Sequence, residues 1–207
     1  MDGGPRLGCV VMAAGSASRF GGDKLAAELG GRTLLRRALE AVPADRLCRV
    51  AVVTRSGWAA AEAEGFGFLA VDNPCPELGV SRTIRLGLQA LGEVDAAMFQ
   101  VADQPRLRRE TAAALAELYL AHPDRIVGLS HGGVRGNPCI FPARFFPELK
   151  ALTGDRGGGA VIRRHPEALL LMEAAEEELL DADTPRELAL LARGRGEEIS
   201  LRIMIRE

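Results

Sequence analysis

The chain lacks the long apolar run that a membrane span requires. No stretch of its 207 residues approaches the ~18 apolar residues of a transmembrane helix, and Met1 to Arg6 are polar and glycine-rich, unlike a secretory leader. Neither sign of charge dominates: the net charge is −2 and the pI is about 6.0, which argues against broad binding to nucleic acid or to an anionic membrane. We therefore expect a cytoplasmic protein that meets a small partner through a local patch of charge.

Patterns for metal binding by thiols and for disulfides are also missing. The sequence contains no C-x-x-C and no H-E-x-x-H motif, so neither zinc nor a disulfide framework is expected. Two of the four cysteines fall within predicted strands, and we interpret all four as small buried or loop residues. The histidines stand in turn-like settings that are typical of the surface. The residues concerned are Cys9, Cys48, Cys75 and Cys139, and His122, His131 and His165.

Lysine is scarce, because Lys24 and Lys150 are the two lysines of the chain and the other 24 basic residues are arginines. Lys24 lies in a loop of small residues after the apolar run Cys9–Met12, which is typical of a buried strand in a parallel sheet. Small residues let main-chain N–H groups face an anion, and Gly21 and Gly22 let the loop bend so that its cations converge. The loop therefore predicts a triphosphate site; alternatively, Lys24 is only the first solvated residue of the next segment. The predicted binding residues of the loop are Ala13, Ala14, Gly15, Ser16, Ser18, Arg19 and Lys24.

The two common phosphate-binding fingerprints do not follow this strand. A P-loop needs G-x-x-x-x-G-K-[ST], and a dinucleotide-binding turn needs G-x-G-x-x-G; neither occurs here. The loop therefore belongs neither to a P-loop hydrolase nor to a typical nicotinamide dehydrogenase, and an unrelated Rossmann oxidoreductase is disfavoured.

Strand-like and helix-like segments alternate along the chain, which predicts an α/β fold with a mostly parallel sheet, right-handed crossovers and helices on both faces. The length favours one domain over 1–207, with a core at 7–192 and a tail at 193–207 whose alternating pattern suits an edge strand or a dimer contact. The predicted strands are 9–12, 49–54, 67–71, 95–102, 126–130 and 139–141, and the predicted helices are 33–42, capped by Thr33, 58–64, 80–91, 109–121 and 185–192.

Asp103 follows the predicted strand 95–102 directly. Ligands of open parallel sheets bind beyond the carboxyl ends of the strands, so Asp103 is expected to face the loop that contains Lys24. Two anions repel in such a crevice unless a divalent cation lies between them, and Mg²⁺ accepts one or two carboxylates together with phosphate oxygens. Asp103 is therefore a candidate magnesium ligand; the alternative is a helix cap or a turn former before Pro105.

Three later segments supply further candidates. The turn 132–138, which contains Asn137, is placed to wall the site, although it is equally compatible with a hairpin. The segment 154–159, which contains Asp155, opens a short helix, and a second substrate's phosphate is expected there. In the sequence Asp-Ala-Asp-Thr-Pro, the predicted helix cap is Thr184, which leaves Asp183 free to be a second metal ligand, with Asp181 as an alternative.

These motifs together resemble the molybdenum cofactor nucleotidyltransferase family of MobA-like NTP transferases. The resemblance covers residues 7–192 and rests on A-A-G-S-A-S-R-F-G-G-D-K, G-V-S-R-T-I-R-L-G-L, D-Q-P, G-V-R-G-N-P, G-D-R-G and D-A-D-T-P, in this order. It implies a three-layer, Rossmann-like sheet of the nucleotide-diphospho-sugar transferase, or glycosyltransferase-A-like, type. It also implies Mg²⁺-dependent transfer of a nucleotidyl group from an NTP with release of pyrophosphate.

By position, the resemblance implies that Lys24 and Arg19 bind the triphosphate and are catalytic together with Asp103. Asp103 and Asp183 would be the metal ligands. Thr83, with Val80 and Ile84 around it, stands where the family usually has a serine, which keeps a hydroxyl, and a changed base pocket is expected. The nucleotide- or substrate-binding set implied by the matched motifs and the loops above is Ala13, Ala14, Gly15, Ser16, Ser18, Arg19, Lys24, Gly79, Thr83, Asn137 and Asp155.

The choice of base and acceptor rests on finer detail of the same motifs. A-A-G and R-F-G are more similar to the cytidylyltransferase of the family than to the guanylyltransferase, which favours CTP. The implied acceptor is the terminal phosphate of molybdopterin, already an anionic nucleophile because its second pKa is about 6, with contact to a molybdoenzyme or a maturation protein. Open alternatives are a guanylyl- or other nucleotidyltransferase with a different phosphorylated acceptor, and a non-catalytic cofactor-binding module for molybdoenzyme maturation.

Overall fold

The computed structural model describes residues 4–15, 20–193 and 199–200 of the chain. Of the predicted binding loop, Ser16, Ser18 and Arg19 lie outside the described residues. The strands are β1 Leu7–Ala13, β2 Glu28–Leu29, β3 Arg32–Thr33, β4 Arg49–Thr54, β5 Leu69–Asp72, β6 Ala96–Val101, β7 Ile126–His131, β8 Val134–Pro142, β9 Leu169–Glu173 and β10 Ile199–Ser200. The helices are α1 Leu34–Glu40, α2 Gly57–Gly65, α3 Val80–Leu91, α4 Arg109–Ala121, α5 Phe146–Lys150, α6 Gly159–Ile162 and α7 Pro185–Arg193.

Seven strands form the main sheet in the order β5-β4-β1-β6-β8-β7-β9. β1 lies between β4 and β6 and pairs with both in parallel. Of the seven strands only β8 runs in the opposite direction, since it pairs antiparallel with β6 and with β7, whereas β7 and β9 are parallel. The prediction of a mostly parallel α/β sheet is confirmed.

Alternating apolar residues of the central strands give the sheet a core on each face. On β1, Cys9 and Val11 pack into one core cluster with residues of α1, α2 and α4. Val10 points the other way, into a second cluster with residues of α3, α5 and α6. Because successive side chains of a strand face opposite sides, a strand that is apolar throughout is covered by helices on both faces. The result is the predicted three-layer arrangement.

Several predicted details are confirmed by local structure. Thr33 caps α1, because its Oγ1 accepts a hydrogen bond from the N–H of Arg36 at 3.0 Å. The Cys9 and Cys139 side chains are buried in strands β1 and β8, Cys48 is exposed and Cys75 is half-buried in a loop. These observations agree with the interpretation of the cysteines as small core or loop residues.

The segment 132–138 differs from its prediction as a turn. Only Gly132 and Gly133 turn, with φ of +54° and +81°, and β8 begins at Val134, so the hairpin alternative is correct. β8 is therefore antiparallel to β7, because so short a connection joins only antiparallel neighbours. β9 was not predicted at all, although it forms an edge of the main sheet beside β7.

A small second sheet has the order β10-β2-β3 and contains two residues of the predicted tail. Ile199 and Ser200 pair antiparallel with Leu29 and Glu28, so this part of the tail forms an edge strand. Residues 194–198 and 201–207 lie outside the described residues, and the prediction of one domain over 1–207 stays a prediction. Within the described part of the chain, no helix is both long and apolar enough to cross a bilayer.

Candidate active site

Lys24 and two carboxylates meet at the edge of the sheet where β1 and β6 end. The Lys24 Nζ atom donates hydrogen bonds to Asp103 Oδ2 at 2.7 Å and to Asp183 Oδ1 at 2.9 Å. The exposed fractions of the three side chains are 13%, 26% and 33%, so the ion pairs are only partly screened by water. Sequence positions 24, 103 and 183, predicted separately, thus form one cluster.

The chain immediately before Lys24 is held by its neighbour Asp23. Asp23 caps the 3₁₀ turn Lys24–Ala26, because its Oδ1 accepts from the N–H of Leu25 at 3.2 Å. Its Oδ2 accepts from the indole N–H of Trp58, the single tryptophan of the chain, at 2.8 Å. Helix α2, which carries Trp58, thereby fixes the backbone from which Lys24 extends.

The two carboxylates come from segments joined by main-chain hydrogen bonds. The N–H of Ala182 donates to the carbonyl oxygen of Asp103 at 2.9 Å, which brings Asp183 beside the end of β6. Thr184 caps α7, since its Oγ1 accepts from the N–H of Glu187 at 3.2 Å and donates to the Glu187 carboxylate at 3.0 Å. The predicted cap is confirmed, so Asp183 is not needed for that purpose.

Asp181 lies at the margin of this cluster rather than between the charges. Its carboxylate accepts from Gln104 Nε2 at 2.9 Å. Burial, reinforced by the negative charge of Asp103, raises the pKa of Asp181 above its ordinary value. Asp183, not Asp181, shares the Lys24 ammonium with Asp103.

The charge state of Lys24 follows from competing effects. Burial lowers its pKa, but the charges of Asp103 and Asp183 and their hydrogen bonds outweigh burial and raise the pKa above the ordinary 10.5. Lys24 therefore remains an ammonium ion at neutral pH. Because the two carboxylates bind one cation, the Lys24 ammonium, they also have the charge and spacing to bind a different cation in its place.

Among the described residues, no group of three or more His, Cys, Asp or Glu side chains is arranged to hold a metal ion. Mg²⁺ does not require such a group, because it is usually bound by one or two carboxylates together with substrate phosphates and water. The donor set of Asp103 and Asp183 fits that requirement.

A cavity of about 170 Å³ adjoins the cluster. Ala13 and Gly15 line it, as expected for the strand-to-loop junction, whereas Ala14 is buried in the core beneath it at 3% exposure. Arg55 and Trp58 also line the cavity, and neither was predicted. Arg55 follows β4 directly, so the rule that selected Asp103 at the end of β6 also applies to it.

A second cavity, of about 660 Å³, lies on the other side of the β1 end and shares Met12 with the first. Asn137 and Asp155, both predicted, line this second cavity together with Asp181 and Arg135. The structure thus separates the predicted residues into two groups: the cluster around Lys24, and the group around Asn137 and Asp155.

Gly79 and Thr83 do not line either of these cavities in the described part of the chain. Thr83 is buried, and its Oγ1 atom accepts from Asn73 Nδ2 at 3.3 Å. Gly79 has a φ of +85°, and a Cβ there would lie 2.3 Å from the carbonyl carbon of Gly154. Both residues therefore have structural reasons for their identity, and nucleotide binding by them stays a prediction.

The fold and the cluster together define a class. A mostly parallel seven-stranded sheet with helices around it is shared with nucleotidyltransferases of the nucleotide-diphospho-sugar transferase fold. The model of the MobA-like NTP transferase domain matches residues 9–169. The chain belongs to this family and is a nucleotidyltransferase of the MobA-like type.

Three individual proteins are similar to the chain, one in sequence and two in fold. The chain is 30% identical over 202 residues to the purine catabolism protein PucB of Bacillus subtilis (strain 168), covering 91% of this chain and 97% of that protein. A nucleotidyl transferase from Methanothermobacter thermautotroptrophicus superposes with a TM-score of 0.78 at 20% identity, covering 91% and 97% of the two chains. Rv0371c from Mycobacterium tuberculosis H37Rv, in complex with manganese, superposes with a TM-score of 0.70 at 21% identity, covering 91% and 98%.

Proposed function

We propose that this protein transfers a cytidylyl group from CTP to the phosphate of a molybdopterin-type cofactor, with Mg²⁺ as cofactor and pyrophosphate as the second product. The observation that carries the proposal is the Lys24 ammonium held between Asp103 and Asp183 beside the strand-to-loop junction at Ala13 and Gly15. In a nucleotidyltransferase, a lysine ammonium in this position can bind the phosphates of the nucleotide.

Asp103 and Asp183 are the residues that would hold Mg²⁺. When bound, the ion neutralises phosphate charge and polarises the phosphoryl oxygens. The mycobacterial neighbour of the same fold was crystallised with manganese, which supports a divalent cation in this chain as well. Lys24 is then available to the negatively charged phosphates, since its charge is no longer needed between the carboxylates.

The protein's own residues have a limited chemical task. The phosphate monoester of the acceptor is largely ionised near pH 7, so no serine, cysteine or histidine nucleophile is required. Lys24 donates hydrogen bonds to the triphosphate, and the small-residue loop that begins after Ala13 is expected to offer main-chain N–H groups to it. The catalysis has two parts: the protein positions the two polyanions, and it stabilises the charge that accumulates on pyrophosphate.

The choice of CTP rests on the loop residues A-A-G and R-F-G, in which the chain resembles the cytidylyltransferase of the family. A second candidate is transfer to a different phosphorylated acceptor. The similarity to a protein named for purine catabolism favours an acceptor whose product is used in that process.

A matrix of CTP, GTP, ATP and UTP against molybdopterin and other phosphorylated acceptors, with pyrophosphate release as the readout, tests the proposal. We expect turnover with CTP and molybdopterin that requires Mg²⁺. Lys24→Met should lower it by about 10²–10³-fold. The matched control Lys150→Met, at the other lysine of the chain and exposed at the end of α5, should not lower it. Binding of CTP without pyrophosphate release from any acceptor would instead indicate the non-catalytic module.

A further inference from the structure

The larger of the two cavities contains an arginine without a polar partner. Arg135, on β8, is half-buried and lines the 660 Å³ cavity. Among the described residues, no carboxylate lies within ion-pair distance of its guanidinium and no acceptor forms a hydrogen bond with it. Other half-buried arginines do have partners: Arg85 donates to the carbonyl of Leu152 at 2.9 Å and Arg125 to that of Ala168 at 3.1 Å.

A partly desolvated guanidinium is costly to leave unpaired, because burial removes water that its five N–H groups would otherwise bond. A bound anion would remove this cost by accepting hydrogen bonds from the guanidinium. Arg135 is the one cationic side chain among the described residues that line the cavity, and Asp155 and Asp181 are the acidic ones. An incoming anion therefore has one place to bind in this cavity.

Because Gly159 has no side chain, the guanidinium of Arg135 has room to lie against its backbone. A Cβ on Gly159 would lie 2.8 Å from Arg135 Nη2, so the guanidinium lies directly over this backbone. At the neighbouring Gly158, a Cβ would meet the Phe141 ring at 2.7 Å. The missing side chains let the guanidinium and the ring form one wall of the cavity.

The remaining walls indicate what kind of molecule carries the anion. Phe99 and Phe141 form an edge-to-face pair with ring centroids 5.9 Å apart, and Ile84 lies beside them as a further buried apolar residue. Asn137 adds one amide. A cavity with an apolar wall, one amide, one cation and two carboxylates suits a ring system that bears a phosphate at one end and hydrogen-bond donors elsewhere.

We propose that Arg135 binds the phosphate monoester of the acceptor and so presents the nucleophile to the nucleotide site. This inference rests on the proposed function and adds to it the residue that recognises the second substrate. The two cavities share Met12, and Asp181, which lines the second, accepts a hydrogen bond from Gln104, the residue next to Asp103, at 2.9 Å. An acceptor held by Arg135 is thus adjacent to the cluster of Lys24, Asp103 and Asp183.

The experiment uses 4-methylumbelliferyl phosphate, a planar ring system with a phosphate monoester, and compares it with unphosphorylated 4-methylumbelliferone. Equilibrium dialysis against the full chain gives the two affinities. We expect the phosphate to bind at least tenfold more tightly than the phenol, and Arg135→Gln to remove about tenfold of that preference. Lys24→Met should leave it unchanged, and Mg²⁺–CTP should raise the thermal midpoint of Arg135→Gln as much as that of the wild type.

A second pair of variants moves the guanidinium without removing its charge. Gly159→Ala should weaken binding several-fold, because the new methyl group would lie 2.8 Å from Arg135 Nη2 and the guanidinium would have to shift away from it. Gly157→Ala is the matched control: it lines the same cavity, but its Cβ would lie an ordinary 3.6 Å from Val80 and meet nothing closer. Gly157→Ala should therefore bind like the wild type.

Three results would overturn the proposal: a wild type that does not prefer the phosphate, an Arg135→Gln variant with wild-type affinity, and loss of binding in Lys24→Met alone. The last result would assign the probe to the triphosphate site. Arg135-dependent binding of the probe without pyrophosphate release from any acceptor would leave this site standing while the proposed activity failed. The two hypotheses therefore fail separately.

Discussion

Lys24 is the residue on which the site converges, since its single ammonium group bridges two carboxylates that would otherwise repel each other. Its raised pKa means that it keeps this charge throughout the neutral range. An ammonium on a flexible side chain can exchange these partners for the oxygens of a phosphate. We interpret the ion pairs as the resting arrangement of the site, which under the proposed function is exchanged when Mg²⁺ and the nucleotide bind together.

We predict that Lys24→Met lowers nucleotidyl transfer by about 10²–10³-fold, the usual effect of losing one donor to developing charge. Asp103→Asn, which removes a proposed magnesium ligand, should lower it about as much. Steady-state pyrophosphate release measures this, and circular dichroism should show a folded protein in both cases. Lys150→Met is the control for a change of net charge. Turnover within a few-fold of the wild type in either variant would remove that residue from the mechanism.

Asp183 and Asp181 differ in their partners, which allows a direct comparison of the two carboxylates. We predict that Asp183→Asn raises the Mg²⁺ concentration needed for half-maximal turnover by about tenfold or more. Asp181→Asn, two residues away but bonded to Gln104, should have a smaller effect. A magnesium titration of both variants decides the matter, and a larger shift in Asp181→Asn would make Asp181 the ligand.

At the scale of elements, Glu178 connects the segment that carries Asp183 to helix α4. It lies in the 3₁₀ turn Glu176–Leu179 and is 1% exposed. Its carboxylate pairs with the Arg108 guanidinium and accepts the Arg108 N–H at 3.0 Å, at the beginning of α4. A buried carboxylate that satisfies a helix N-terminus holds the chain on both sides of it in place.

Burial by itself raises the pKa of Glu178, but hydrogen bonds from Arg108 and Thr111 outweigh burial and hold the pKa below the ordinary 4.5. A depressed pKa stabilises the fold above pH 4.5, and this stabilisation is lost as the pH falls through the folded-state pKa. We predict that Glu178→Gln lowers the free energy of unfolding by about 2 kcal/mol near pH 7, or the melting temperature by about 4–8 °C.

The difference between wild type and Glu178→Gln should shrink as the pH falls below 4.5. Thermal melts across this range provide the measurement. If the two proteins differed in melting temperature by the same amount at pH 7 and at pH 3, the lower stability of Glu178→Gln would come from packing and not from the carboxylate charge.

At the scale of the whole molecule, the main sheet places two cavities side by side at one edge, with the end of β1 between them. The Lys24 cluster lies by the first cavity and Arg135 by the second. The small sheet of β2, β3 and β10 follows Lys24 in the chain and joins the tail to this region. The two halves of the sheet thus border one cavity each.

Removal of residues 194–207 tests what the tail contributes. In the described residues, β10 pairs only with β2, so truncation after Arg193 should cost about 1 kcal/mol of stability. This corresponds to a melting temperature about 2–4 °C lower. Pyrophosphate release should be retained, and its loss in a truncated chain that is still folded would place a functional residue in the tail.

Short-range features of this protein were determined by the sequence alone. Thr33 and Thr184 cap helices as predicted, because a hydroxyl that bonds the N–H three residues later depends only on adjacent residues. The buried strands around Cys9–Met12 and 49–54 follow from β-branched apolar runs, and their alternation with helices determined the fold class. The position of Asp103 at the end of β6 follows from the same alternation.

Only the tertiary structure decided which of these residues meet. Lys24 and Asp183 are 159 positions apart, and their contact depends on the main-chain bond between Ala182 and Asp103. The first half of β8 contains Arg, Gly, Asn and Pro, which are not typical of a strand. Its direction, and therefore the cavity that Arg135 and Asn137 line, could not be predicted from the sequence. A strand or a helix cap depends on residues that are adjacent in the sequence. A site depends on segments that are far apart in the sequence and meet only in the folded chain, so no local sequence pattern predicts which of them will be in contact.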